Sequence, residues 1–153
     1  MEKKNVGATI IELVTVITIF STLFGVVALN LFTAKAKASF QSTINMFLAD
    51  ITGQQIKAMA QNAQGIYFSQ NSYTLFKGDV YLASDQDNFV VKLGDNIEFL
   101  SVLLPSQSVV FSKISGEVLG FDENQNSIVI RDTENNQQKT IKINKYGVIT
   151  QVN

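Results

Sequence analysis

From Leu13 to Ala34 the chain runs for 22 residues without a charged side chain. Written as a helix rising 1.5 Å per residue, that run reaches about 33 Å, enough to cross a hydrocarbon core of roughly 30 Å. Lys3 and Lys4 precede it, and a single acid, Glu12, stands near its start. The sequence therefore predicts a short basic leader, residues 1–7, then a membrane-spanning helix over residues 8–34. The remaining stretch of about 120 residues suits one domain.

Composition narrows what that domain does. The chain contains neither cysteine nor histidine, which excludes disulfide staples, thiol nucleophiles and imidazole acid–base chemistry and removes the commonest zinc ligands. From residue 35 onward ten Lys/Arg face eleven Asp/Glu, a net charge of −1. Binding to nucleic acid through phosphates calls for a basic excess or stripe, so nucleic acid is not indicated as a partner. No phosphate-cradling glycine loop and no convincing carboxylate pair is present, and the chain reads as a non-enzyme without a cofactor.

Past Lys35 the helical pattern continues but becomes amphipathic. Phe40, Ile44, Phe47, Leu48 and Ile51 recur at three- and four-residue spacing among Ser, Gln, Asn and Asp, the mark of one apolar stripe on a solvated helix. Thr52-Gly53-Gln54-Gln55 weakens the helix, and Gly65 reads as its stop. This predicts an amphipathic continuation over residues 35–64, so that one long helix emerges. Beyond it the period changes to two. Runs at Ile66–Phe68, Tyr73–Phe76, Val80–Leu82, Phe89–Leu93, Ile97–Val102, Val109–Phe111, Glu117–Leu119, Ser127–Arg131, Thr140–Asn144 and Val148–Gln151 are separated by turn residues such as Lys77-Gly78-Asp79 and Gly94-Asp95-Asn96. The expected fold class is α+β: a long N-terminal helix, transmembrane in its first half and amphipathic in its second, packed on an antiparallel β-sheet or β-sandwich over residues 65–153.

Glu12 is the informative residue of the first stretch. An acid inside an apolar span costs on the order of 2.5–3.5 kcal/mol at a bilayer centre and less near an interface. Either the helix N-terminus tolerates it there, or a cationic partner meets it; the amine of a processed Ala8, one helical turn away, is a candidate. The segment Lys3-Lys4-Asn5-Val6-Gly7-Ala8-Thr9-Ile10-Ile11-Glu12-Leu13 followed by an apolar helix resembles the prepilin signature of type IV pilins and pseudopilins. That resemblance implies cleavage by prepilin peptidase between Gly7 and Ala8, N-methylation of Ala8, and a filament-assembly role for Glu12. Two departures stand out: Ala8 occupies a position where the family usually has a large apolar residue, and the helix-bending proline of many major pilins is absent, Pro105 being the only proline.

The β-rich tail is similar to H-type minor pseudopilins and related minor pilins. The similarity rests on Asp50-Ile51, Ala58-Met59 and Asn62 before the first strand, on Phe111 and Gly116, and on the closing run Ile141 to Ile149. Major pseudopilins carry an acidic C-terminal calcium loop, whereas residues 139–153 contain no acid. The resemblance implies a structural subunit of a type II secretion pseudopilus or type IV pilus-like filament. Its partners would be other pilin or pseudopilin subunits, prepilin peptidase, the inner-membrane assembly platform and membrane lipid. Its location would be the cytoplasmic (inner) membrane, single-pass, N-terminus inside and C-terminal domain extracytoplasmic. The alternatives are a DNA-uptake (competence) pseudopilin and a non-polymerising signal-anchored binding protein.

Other candidate chemistry is thin. Asp85, Asp87 and Asn88 carry oxygens a hard cation could use, but no bidentate acid follows at a suitable spacing, so no metal is expected. Lys139, Lys142 and Lys145, with Arg131, make the tail locally basic; in a strand over 140–144, Lys142 points away from Ile141 and Ile143 and reads as part of a solvated face. Tyr67, Tyr73, Tyr81 and Tyr146 read as aromatics at the edge of the core.

Overall fold

The computed structural model describes residues 9–152, and the chain divides into two compact units between Ser39 and Phe40. Helical backbone, α1, is assigned over Ile10–Ala60, so its residues fall in both units. In the first unit the described apolar side chains are exposed, among them Ile10 at 84% and Phe24 at 72%. In the second, residues 40–60 belong to the β-rich domain and bury Phe40, Ile44, Phe47, Ile51 and Ala58.

The expected fold class is corrected here. No helix among the described residues is long and apolar enough to cross a membrane. The expected transmembrane first half of the stem is thus not found among the described residues. The helical boundary also moves: α1 ends at Ala60, and Gly65 lies within the first strand rather than terminating the helix.

Eight strands follow: β1 (Gln64–Ser69), β2 (Ser72–Lys77), β3 (Phe89–Lys92), β4 (Ile97–Leu103), β5 (Ser108–Phe111), β6 (Ser127–Asp132), β7 (Gln137–Ile143) and β8 (Ile149–Val152). They form two antiparallel four-stranded sheets, in the orders β3-β2-β1-β5 and β4-β6-β7-β8. Two expected strands are not strands. Val80–Leu82 lies in the loop between β2 and β3, and Glu117–Leu119 contributes only a bridge from Val118 to Phe111.

Alternation explains the core. In β6 Ile128 and Ile130 are buried between less buried neighbours, and in β7 Ile141 and Ile143 flank an exposed Lys142, as a half-buried pleated strand requires. From the other sheet come Ile66, Phe68, Tyr73 and Val109. Helix residue Phe47 is fully buried and meets Phe68 and Tyr73 of one sheet and Phe99 of the other edge-on, with centroids 5.8, 5.2 and 5.6 Å away. Such edge-to-face pairs contribute about 0.5–1.5 kcal/mol beyond area burial.

The helix end is tied by side-chain amides. Gln54 Nε2 donates to the carbonyls of Gly65 (3.0 Å) and Phe76 (3.4 Å), while Gln55 Nε2 donates to those of Gly116 (3.0 Å) and Tyr146 (2.7 Å). The stretch that sequence composition marks as a weak point in the helix is therefore where it is fastened. Gly65 has a packing reason as well: a Cβ there would sit 2.3 Å from the Phe76 ring.

At the end of β6, Asp132 is buried and organises the turn to β7. Its carboxylate accepts from the backbone N–H of Glu134 (2.9 Å) and Asn135 (3.3 Å) and from Asn135 Nδ2 (3.0 Å). Burial by itself pushes this carboxyl up, but the hydrogen bonds outweigh it and the group titrates below its ordinary 3.8. A lowered folded-state pKa adds stability above the unfolded value that is lost as pH falls through the folded one. Asp132→Asn should therefore lower the denaturation midpoint at pH 7, with the gap to wild type closing below about pH 4; denaturant titrations across pH measure both. Phe47→Ala should cost about 3–5 kcal/mol in the same unfolding measurement.

Candidate assembly site

Gly7 and Ala8, the residues of the expected cleavage and methylation site, lie outside the described residues. The site begins for the structure at Thr9. Its Oγ1 accepts from the Glu12 N–H at 3.4 Å, while Glu12 Oε2 accepts from the Thr9 N–H at 3.0 Å and from its hydroxyl at 3.2 Å. This is a reciprocal capping box, with Thr9 at the N-cap and Glu12 as the third helical residue. A helix leaves its first N–H groups without intrahelical acceptors, and the macrodipole favours an anion beside them. Glu12 thus has a local task that an apolar environment does not remove.

Threonine–x–x–glutamate ahead of an apolar run is the sequence signal for this cap. Neither helix-start tolerance nor a cationic partner, the two alternatives the sequence offers for this acid, includes the reciprocal bond to Thr9. The next polar residues are handled the same way: the hydroxyls of Thr15, Thr18 and Thr22 donate to the carbonyls of Ile11, Val14 and Ile19 at 2.7–2.8 Å. Their donors are spent on the helix itself. The surface they leave is made of Ile10, Ile11, Leu13, Val14, Phe20 and Phe24, all exposed. A helix that is apolar on every side is normally buried in something.

The other singled-out residues do not assemble into a site. Asp85 Oδ1 accepts from the Asp87 N–H (2.9 Å), and Asn88 Nδ2 donates to the Leu82 carbonyl (2.8 Å), so these residues shape their own loop. Among the described residues no group of three His, Cys, Asp or Glu could hold a metal ion. The basic residues are dispersed as well. Lys139 pairs across from buried Ile130, Lys142 lies on the opposite, exposed face, and Arg131 is bridged to Glu98. That guanidinium, with help from Gln70, holds the Glu98 carboxyl below its ordinary range. Tyr73 is buried and donates to Asp50 at 2.5 Å; burial and that carboxylate push its phenol far up. Tyr146 is exposed, and Tyr67 stacks on Tyr81.

If the cap sets where the helix starts, Thr9→Ala should destabilise its first turn by about 0.5–2 kcal/mol. Glu12→Gln should leave that turn nearly intact, because a glutamine oxygen also serves in a capping box. Amide hydrogen exchange at residues 10–13 of the full chain in detergent distinguishes them. No family model matches this chain, and neither does any curated protein or solved structure.

Proposed function

We propose that the chain is a minor pseudopilin or minor pilin, a non-catalytic structural subunit of a type II secretion pseudopilus or type IV pilus-like filament. The observation that carries this reading is the exposed apolar helix from Ile10 onward, begun by the Thr9–Glu12 cap and followed in sequence by a compact β domain. Apolar area removed from water stabilises by roughly 25 cal/mol per Å², and neighbouring stems of other subunits offer a place to remove it. The prepilin-like segment around Gly7 and Ala8 supplies the rest of the reading. Prepilin peptidase cuts between those two residues, Ala8 is methylated, and an assembly platform at the cytoplasmic membrane receives the processed subunit, with the β domain outside.

The capping box refines the role of Glu12. The carboxylate organises its own helix start at Thr9, one residue after the proposed new terminus in sequence, where a neighbouring subunit's amine can meet its charge. Cap and charge separate by substitution. Glu12→Gln keeps the cap but removes the charge, so its incorporation into filaments should fall several-fold while the helix start remains protected. Wild-type incorporation of that variant would leave Glu12 only its local task.

The processing step has its own measurement. Co-expression with a prepilin peptidase should give a mass beginning at methylated Ala8. A chain that keeps residues 1–7 under those conditions is instead a signal-anchored binding protein that does not polymerise.

A further inference from the structure

The face of β1 that points away from the core carries a second aromatic group. Tyr67 is half-buried there, and Tyr81, from the loop between β2 and β3, lies flat on it with centroids 4.2 Å apart and planes 7° apart. Tyr81 also leans on Phe76 at 5.5 Å, and Phe76 covers Gly65. The loop is thereby folded back onto the outer face of its own sheet by stacked rings. None of this belongs to the apolar core, which lies on the other face with Ile66 and Phe68.

Beside the stacked pair opens a cleft of about 380 Å³, within the size range of small-molecule sites. Tyr67 and Tyr81 supply ring surface, Val110 and Leu119 an apolar wall, and Asp79 and Ser106 polar groups at the rim. The rim is strained. Ser106 and Gln107 are consecutive non-glycine residues with left-handed φ values of 53° and 52°, a conformation that costs on the order of 1–3 kcal/mol each and clusters at ligand sites.

The lining selects among ligand chemistries. It contains no Lys or Arg, so a phosphate would find no cationic donor within the cleft and would face the Asp79 carboxylate. A wholly apolar ligand would make no use of the carboxylate of Asp79 and the hydroxyl of Ser106, which are exposed at the rim. A cationic ligand at the Asp79 carboxylate would sit in the positive field of Lys77 and Lys113, which line a neighbouring hollow with it. A neutral sugar ring fits all the groups: its C–H face lies on tyrosine and the apolar wall, and its hydroxyls donate to the carboxylate and exchange bonds with the serine. We infer that the Tyr67–Tyr81 cleft binds a neutral pyranose ring, stacked on tyrosine and held at its hydroxyls by Asp79 and Ser106.

This inference does not depend on filament assembly and stands or falls separately from it. The test is saturation-transfer NMR on the full chain in a sugar-free detergent, with millimolar glucose, galactose and N-acetylglucosamine as probes. Transfer to ring C–H protons is expected for at least one of the three. It should drop at least fivefold in Tyr81→Ala, drop at least twofold in Asp79→Asn and persist in Tyr81→Phe, which keeps the ring. Amide spectra report whether each variant is folded, and if Tyr81→Ala is not, the exposed Asp79→Asn decides. Absence of transfer for all three sugars, or unchanged transfer in a folded Tyr81→Ala or Asp79→Asn, overturns the inference.

Discussion

Phe47 is the point on which the β domain depends. Without the helical residues 40–60, each four-stranded sheet would have an apolar face and too little to cover it. The ring of Phe47 reaches both sheets at once, meeting Phe68 and Tyr73 on one side and Phe99 on the other. Phe99 in turn packs edge-on against Phe68 at 5.2 Å and Tyr73 at 6.3 Å. Four rings from four elements thus form one group, in which Phe47 and Phe99 each meet the other three and Phe68 and Tyr73 each meet both of them. Ile44 and Ile51 extend the same stripe one turn either way, so the helix is held along its length.

That stripe was legible in the sequence because its spacing is helical and its intervening residues are polar. The strands were legible for the same kind of reason: Ile141 and Ile143 sit two apart with Lys142 between, and Ile128 and Ile130 are two apart in a short β-branched run. Reading failed where periodicity and role diverge. Val80, Tyr81 and Leu82 look like a strand, yet the stacking of Tyr81 on Tyr67 turns the segment into a loop lying on a sheet. Gly65 looks like a helix stop, but its lack of a side chain serves the Phe76 ring. Hydropathy overstated the span expected over residues 8–34: among the described residues no helix is long and apolar enough to cross a membrane.

Glu12 shows the difference between a residue type and its bonds. Its presence near an apolar run raises the question of a partner, and composition cannot say which. The hydrogen bonds to Thr9 show that the first partner is its own helix. A second, intermolecular partner would then find the carboxylate already ordered, which lowers the side-chain entropy that forming such a contact otherwise costs. Under the proposed docking role, one acid would serve both the start of a helix and its contact with a neighbour.

The amides of Gln54 and Gln55 have a consequence for how this domain can diversify. Both address main-chain carbonyls, those of Gly65, Phe76, Gly116 and Tyr146, and every amino acid offers a carbonyl. Gly116 and Gly147, at φ +68° and +73°, press their backbones against Met59 and Gln55. The neighbouring side chains of Ile114, Tyr146 and Val148 meanwhile point to solvent. The joint between helix and loops is therefore written in backbone, and the surface above it in side chains. Those exposed positions are free to drift toward new binding partners without loosening the attachment beneath them.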